Sequence, residues 1–547
     1  MARGRRFFAV ELEAYVPGVS AAAERGHDVK PRLYPYDLPQ ALESTETIRA
    51  SDIGYRTLPS DATQAVYPQV LDTAFEYDRR VPLSPFASST AAGWGTVRLF
   101  NPDGMWDSVA RTRSTDGRVA RVLQGYKVYD TTRGYESDPS YVTLVEVLRG
   151  VAQGWFLGDA GLEVPLRDAT YWIERPLQAN LYAGTGGYEG NSQMTGVSKP
   201  KTRGGNAGAP VKNVKPVLID PTNRIWQYTD AAGGIVALYE RGQTGITFSA
   251  DTTNLYAGST PAGQYRTDNS RGLFQLGSTP VGEITVDCWG SFPTMGSIVN
   301  PVTAAHALLR DDMALPANLV DTTNFTAVAA LVNYTAGWHF PSQQIQGIEA
   351  VDVFLRSVNA KLVPGRNGTL KVVLLRAIPA GTQPVFTFTT ATVSQLTPRR
   401  LEAPLDPPAY RWMVGHTRNH MIQTSDLGPL VTDARRQFLA QEWTQAGWSS
   451  SAILQAYRRP SDPGTVPTAL LSGPNAQLVA DALGALWGTR RRLYDITVPY
   501  EVGYARDIGE IVGLEYPVDD LGSGRVGQIV GDQMRSGSDS ITLQVLV

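Results

Sequence analysis

EVPLRDATYWIERPLQANLYAGTGGYEG, residues Glu163 to Gly190, decides how the chain divides. It opens with the alternation of a half-buried strand: Val164 and Leu166, then Ala169, Tyr171 and Ile173, fall among charged residues. It breaks at Pro176 and runs into a glycine-rich loop. The residues before it read as short strands, and those after it as loops, turns and later helices. The stretch is therefore the last strand of one β-domain and the exit into an insertion.

Upstream, Val10, Leu12 and Ala14 alternate as a first strand, and Pro31–Pro39 form a proline-rich loop. Thr45–Pro59 reads as strand, loop and strand. Val70, Thr73, Phe75 and Tyr77 mark another strand, and Thr96–Phe100 runs into an Asn-Pro-Asp-Gly turn. Arg118–Tyr129 and Tyr141–Gly154 add two more, with Trp155–Asp159 turning. About seven strands with one excursion predict a small closed or half-closed barrel. Downstream, residues 176–300 carry further hairpin strands, including two around Gly277–Gly282. Residues 301–400 change period. Helices are predicted over Pro301–Leu315 and Gly347–Val358, followed by a hairpin turning at Asn367-Gly368 before the strand Leu370–Leu375. Residues 401–547 return to strands, starting at Tyr410–Val414, with helices over Thr432–Trp443 and Pro474–Trp487 and turns at Gly503, Gly522 and Ser536–Ser540.

The totals bound the class. A chain of 547 residues exceeds one core, and its 53 Gly and 36 Pro are dispersed, as frequent turns between short strands require. A net charge of −3 argues against a nucleic-acid coat, though not against a channel that DNA passes through. The single cysteine, Cys288, excludes an intrachain disulfide and a Cys-cluster metal site. The basic start MARGRR is followed by an apolar run cut by Glu11 and Glu13, so a secretory signal is not expected. No apolar run is long enough for a membrane helix.

Chemistry-bearing residues are scattered. Of His27, His306, His339, His416 and His420, only the last two share a suggestive spacing, HTRNH. On a strand that spacing spans about 13 Å, too far for one ion. Gly184–Gly190 misses the dinucleotide fingerprint, and no amphipathic helix follows to supply a dipole. Asp103 with Asp107, and Asp72 with Asp78, are the carboxylates weighed as pairs for glycoside cleavage, and turn formation and solvation account for them. The basic residues Arg203, Lys212, Lys215 and Arg490–Arg492 read as a solvated face or subunit salt bridges rather than phosphate contacts. Asn324, Asn333 and Asn367 lie in N-x-[ST] sequons, which mean nothing without secretion. No residue is assigned a catalytic, cofactor-binding or metal-binding role. The residues point to a multi-domain structural or interaction protein.

Four blocks carry a resemblance. GTVRLFNPDGMWD (from Gly95) is similar to a strand followed by N-x-D-G-x-x-D. LRDATYWIERPLQANLYAGTGGYEGNSQMTGVSKP (from Leu166) and NVKPVLIDPTNRIWQY (from Asn213) form the second block. YRTDNSRGLFQLGSTPVGEITVDCWG (from Tyr265) is the third, and RRLYDITVPYEVGYARDIGEIVGL (from Arg491) the fourth. Together and in this order they resemble the baseplate hub, or tail-tip, proteins of long-tailed bacteriophages and gene transfer agents. After Lys199-Pro200 the chain has TRGGNAGAP where that family more often has a large apolar residue leading to F-G.

The resemblance implies a mainly β, multi-domain fold with an α+β part. A first tube-like barrel is expected over 1–175, an inserted β-rich domain over 176–300, an α+β domain over 301–400, and a second tube-like barrel with helices over 401–547. It implies a homotrimer in the virion tail tip, assembled in the host cytoplasm, whose six barrels form a pseudo-sixfold ring. The implied partners are the distal tail protein or tail-tube ring above and central fibre or spike proteins below. Tape-measure termini are a candidate for the lumen, where DNA is only in transit. A tail-associated glycan hydrolase and a receptor- or carbohydrate-binding protein are the alternatives, and no cofactor is expected.

Overall fold

A computed structural model describes residues 3–16, 45–89, 92–132, 134–159, 161–402 and 405–547. The expected loop Pro31–Pro39 and His27 lie outside the described residues. The protein is mainly β, in several sheets, with a smaller helical part.

The largest sheet has sixteen strands and draws on both ends of the sequence. Its first path runs from Thr45–Ser51 through Arg3–Tyr15, Arg118–Asp130, Val145–Ala152, Gly161–Arg167 and Gly93–Leu99 to Leu71–Thr73. A parallel bridge between Ser51 and Gln69, with Ser51 N–H donating to Pro68 C=O at 2.8 Å, brings the path back to its start. The seven strands thus curl round on themselves. Phe8, Val10, Leu12, Val97, Val122 and Val164 point into a shared core. Hiding its own edges is how a small all-β unit avoids open pairing sites.

A second path runs from Thr387–Phe388 through Ile511–Leu514, Arg525–Arg535, Ser540–Leu546 and Leu493–Pro499 to Gln395–Arg399. Its first and last strands are neighbours in sequence, so residues 389–394 link its two ends. Ser394 N–H donates to Thr497 C=O at the crossing. The strand Glu76–Arg80 joins the two paths, pairing with Gly93 on one side and with Gly531–Arg535 on the other.

Between these strands in sequence lie two further bodies. Residues 201–290 contribute two five-stranded sheets, one completed by Gly337–Phe340. The helices Pro301–Ala307, Thr322–Leu331 and Gly347–Arg356 pack with the hairpin Ala360–Pro364/Leu370–Leu374 around Val302, Leu308, Phe325, Val351 and Phe354. The Asn367-Gly368 turn falls where its sequence places it, with Gly368 at φ +76°.

Several expectations need correction. The strand beginning at Gly161 ends at Arg167. Asp168 then accepts from Thr170 N–H and caps a 3-10 turn over Ala169–Ile173, so the apparent alternation there belongs to a turn. The span from Val70 is two strands, Leu71–Thr73 and Glu76–Arg80. Tyr141–Thr143 is a 3-10 turn before a strand at Val145–Ala152, and Phe156–Gly158 is a strand rather than a turn. The helix from Pro301 continues beyond Ala307 as a π-helical turn, Leu308–Asp312. The helix expected over Thr432–Trp443 is only Asp433–Leu439, because Thr444–Ser449 pairs with Arg411–His416. Gly503 lies in a short helix, Tyr500–Tyr504. The helix Thr322–Leu331 had no reading in the sequence: its β-branched and small residues bury only Phe325 and Val328.

Candidate functional site

The seam between the two strand paths concentrates buried charge. Along Glu76–Arg80 alternate side chains turn inward, so Tyr77 and Arg79 face the interior. Arg79 is wholly buried. Its Nε and Nη2 donate to the two oxygens of Asp532 at 2.7 and 2.6 Å, Nη2 also reaches Asp507 at 2.8 Å, and Nη1 donates to Pro364 C=O. Tyr77 Oη donates to Asp532 at 3.3 Å. Asp507 is paired in addition with Lys371. Arg366 donates to the carbonyls of Tyr504 and Arg506. Burial works against the Asp507 carboxylate, but Arg79, Lys371 and Arg366 outweigh it and hold its pKa well below the usual range. One ionic cluster therefore ties the first path, the α+β hairpin and the second path together. A fork-on-carboxylate geometry fixes their orientation as well as their proximity.

A second buried cluster anchors the inserted sheets. Arg203 is neither a solvated nor an intersubunit cation: it is fully buried, donating to Asp230 at 2.8 Å and to Asp312 at 2.8 and 2.6 Å. Lys201 joins the same two carboxylates. Burial raises the Asp230 pKa, but Arg203 and Lys201 outweigh it and hold it at about 2. Lys212 pairs with Asp287, Lys215 with Glu283, Arg490 with Asp406 and Arg492 with Asp519, while Arg491 donates to Leu486 C=O. The basic runs are thus largely neutralised within the chain.

The remaining candidates separate. Asp107 accepts from Asn101 and Asp103 sits at φ +53° in the turn, while Asp72 accepts from Thr73 and Asp78 binds Arg80. A local partner or turn geometry accounts for each. The Gly184–Gly190 loop bonds to itself: Gly184 N–H donates to Glu189 C=O and Gly186 N–H to Gly190 C=O. Glu189 takes Ala183 N–H and Lys199, so a carboxylate of the chain fills the place an anion would need. His306 contacts Thr322, and His416 contacts Thr417 at the end of its strand. Cys288 is buried beside Thr202, and burial pushes its thiol pKa up. Among the described residues no group of three or more metal-ligating side chains converges. No described helix is long and apolar enough to cross a membrane.

HTRNH is not one strand, because pairing stops at His416 and Thr417 takes φ +48°. The turn carries His420 to the edge strand Gly337–Phe340, where its ring meets His339 at 5.7 Å and Trp338 at 5.1 Å. Arg418 lies over Trp338 and Trp443 and pairs with Glu442. Burial depresses both imidazoles: His339 is pushed down to about 3, with Arg418 adding to the effect, and His420 falls well below the ordinary value. These residues form one end of a cleft of about 1070 Å³. Its other wall comes from Lys215–Leu218 and Pro280–Ile284, and its floor from Phe340–Ile345. Sequence distance conceals this grouping, whereas Arg79 could have been recognised as inward-facing because it shares the parity of Tyr77.

No protein-family model matches the chain, and neither does any curated protein. Among the solved structures that align over most of its length are three tail proteins. The tail protein from Neisseria meningitidis MC58 is 12% identical, with 87% of this chain and 96% of that chain covered, at a TM-score of 0.32. The prophage MuSo2 43 kDa tail protein from Shewanella oneidensis is 10% identical, with 88% and 95% covered, at 0.33. Prophage tail protein gp18 from Listeria monocytogenes EGD-e is 9% identical, with 89% and 91% covered, at 0.28. At these TM-scores the alignments carry no weight for fold or function.

Proposed function

We propose that this chain is a virion structural protein, the trimeric baseplate hub of a long-tailed phage or gene transfer agent. One observation carries the reading: a single subunit holds two curled strand paths side by side, welded by the ladder from Glu76–Arg80 to Gly531–Arg535. Two tube-like units per chain become six around a threefold axis. That arrangement matches a sixfold tail tube on one face and threefold fibre or spike proteins on the other. In this reading the domains are 1–175 and 401–547 for the barrels, with 176–300 and 301–400 decorating the ring. The distal tail protein, central fibre proteins and tape-measure termini are its partners, DNA passes through the lumen, and the protein acts by assembly rather than catalysis.

Size-exclusion chromatography with light scattering tests the oligomer, and negative-stain imaging tests the ring. The expected mass is three times the 59.3 kDa of the chain, in a hollow threefold particle that binds tail-tube rings. A stable monomer that ignores such rings would refute the hub.

A further inference from the structure

The turn that carries His420 is fastened to the inserted sheets by two kinds of contact. The first is neutral: His420 N–H donates to Lys212 C=O at 3.3 Å, and Asn213 holds Asn419 and Met421. The second is a pair of imidazoles. His339, on Gly337–Phe340, meets His420 at 5.7 Å with the rings nearly perpendicular. The hydroxyl of Thr202 donates to Tyr228 C=O at 2.8 Å, so at 3.0 Å from His339 Nδ1 it accepts that ring's proton. The basic nitrogen of His339 is therefore Nε2. The turn also has a hinge, because pairing stops at His416 and Thr417 takes φ +48°.

No described carboxylate pairs with either ring. Arg418 stands over Trp338, which touches His420, and its charge bears on both imidazoles. The carboxylates of the surrounding elements are already engaged. Glu442 pairs with Arg418, Asp287 with Lys212 and Tyr239, Glu283 with Lys215, and Asp426 with Arg241. Lys201 and Arg203, on either side of Thr202, are held by Asp230 and Asp312. Arg435 donates to Asn213, His416 bonds to Thr417, and the Cys288 thiol lies 3.9 Å from the Thr202 hydroxyl. A proton added to either ring thus meets a cation and no free anion. We propose that the His339–His420 pair is an acid-sensitive latch: as pH falls below neutral, the turn Thr417–Gln423 swings off the Gly337–Phe340 and Val211–Val214 strands while the sheets themselves stay folded. The two buried ionic clusters hold through this range, since Asp230 stays charged down to about pH 2 and Asp507 is held well below the usual carboxylate range. This assignment does not depend on the hub reading.

Hydrogen exchange of the full chain at pH 7.5 and pH 5.0 tests the latch. Rates are expressed as protection factors, which remove the direct effect of pH on exchange. An imidazole that is neutral when the turn is seated and ordinary when it is released should lower protection about thirtyfold between these pH values, and the pair about a thousandfold. That loss should fall on residues 417–423, with Arg118–Asp130 unaltered. His339→Gln should leave about thirtyfold of the effect, and His339→Gln with His420→Gln no more than about twofold. Thermal melting at pH 7.5 checks that the variants fold, and the contrast within the unsubstituted protein needs no variant. The proposal is overturned if residues 417–423 are equally protected at both pH values, if they and Arg118–Asp130 lose protection together, or if the double variant responds as the unsubstituted protein does.

Discussion

Arg79 and Asp532, 453 positions apart in the chain, stand directly opposite each other in one ladder and close a two-bond fork between the two strand paths. Both side chains are buried, so each is the other's substitute for water.

Breaking this pair from one side leaves Asp532 with only Tyr77, or Arg79 with only Asp507 and the Pro364 carbonyl. Arg79→Met or Asp532→Asn should each cost about 3–5 kcal/mol in urea unfolding at fixed protein concentration. Arg79→Met with Asp532→Leu should cost clearly less than the sum, because neither charge is then stranded. Additive losses would show that the two residues are not energetically coupled.

His339 gives the stability a pH slope. Its folded pKa, about 3, lies below its ordinary value near 6.5, so the unfolded chain binds the proton more readily. The contribution is complete above about pH 6.5 and is lost as pH falls toward 3. Between pH 7 and pH 5 the loss should be roughly 2 kcal/mol. The His339→Gln variant should lack that part of the slope, and parallel slopes in the two proteins would exclude His339 as its source.

Asn213 holds the 417–440 arm to the inserted sheets. It sits at φ +53°, donates to Asn419 at 2.8 Å and to Met421 C=O at 2.6 Å, and accepts from Arg435 at 3.0 Å. Asn213→Gly keeps the backbone shape and loses the bonds, so it should cost about 1–3 kcal/mol. Asn213→Ala should cost about 1 kcal/mol more, since it must also take the left-handed conformation. Faster hydrogen exchange around Asn419–Gln423 in both variants checks the mechanism.

Helix propensity alone says that Gly484→Ala, within Gly473–Trp487, should stabilise by about 1 kcal/mol. The structure predicts the opposite sign. A Cβ at Gly484 would overlap the indole of Trp448 on the facing strand. The expected result is a loss of about 1–3 kcal/mol in the same unfolding assay.

Much of the fold was legible because strand alternation and turn chemistry are local. Arg118–Tyr129 and the Asn367-Gly368 hairpin could be read directly, each from within a dozen residues. The reading failed where local pattern and tertiary structure part. Ala169–Ile173 alternates like a strand but lacks a neighbour to pair with once Asp168 caps a turn. The site was less legible still. The cleft assembles Lys215, Gly282, Trp338 and Arg418 from segments whose sequences carry no reference to one another. Arg203 looked solvated because its run is basic, and only folding reveals Asp230 and Asp312 beside it.

The welding ladder also sets a schedule for synthesis. Glu76–Arg80 leaves the ribosome long before Gly531–Arg535, the strand that covers it. At roughly 5–20 residues per second, that pairing edge and the cation at Arg79 wait on the order of half a minute or more for their partners. During that interval the nascent first strand path carries an open template for pairing with other chains on the same message. A chaperone acting in that window would decide how much of the protein reaches its final form.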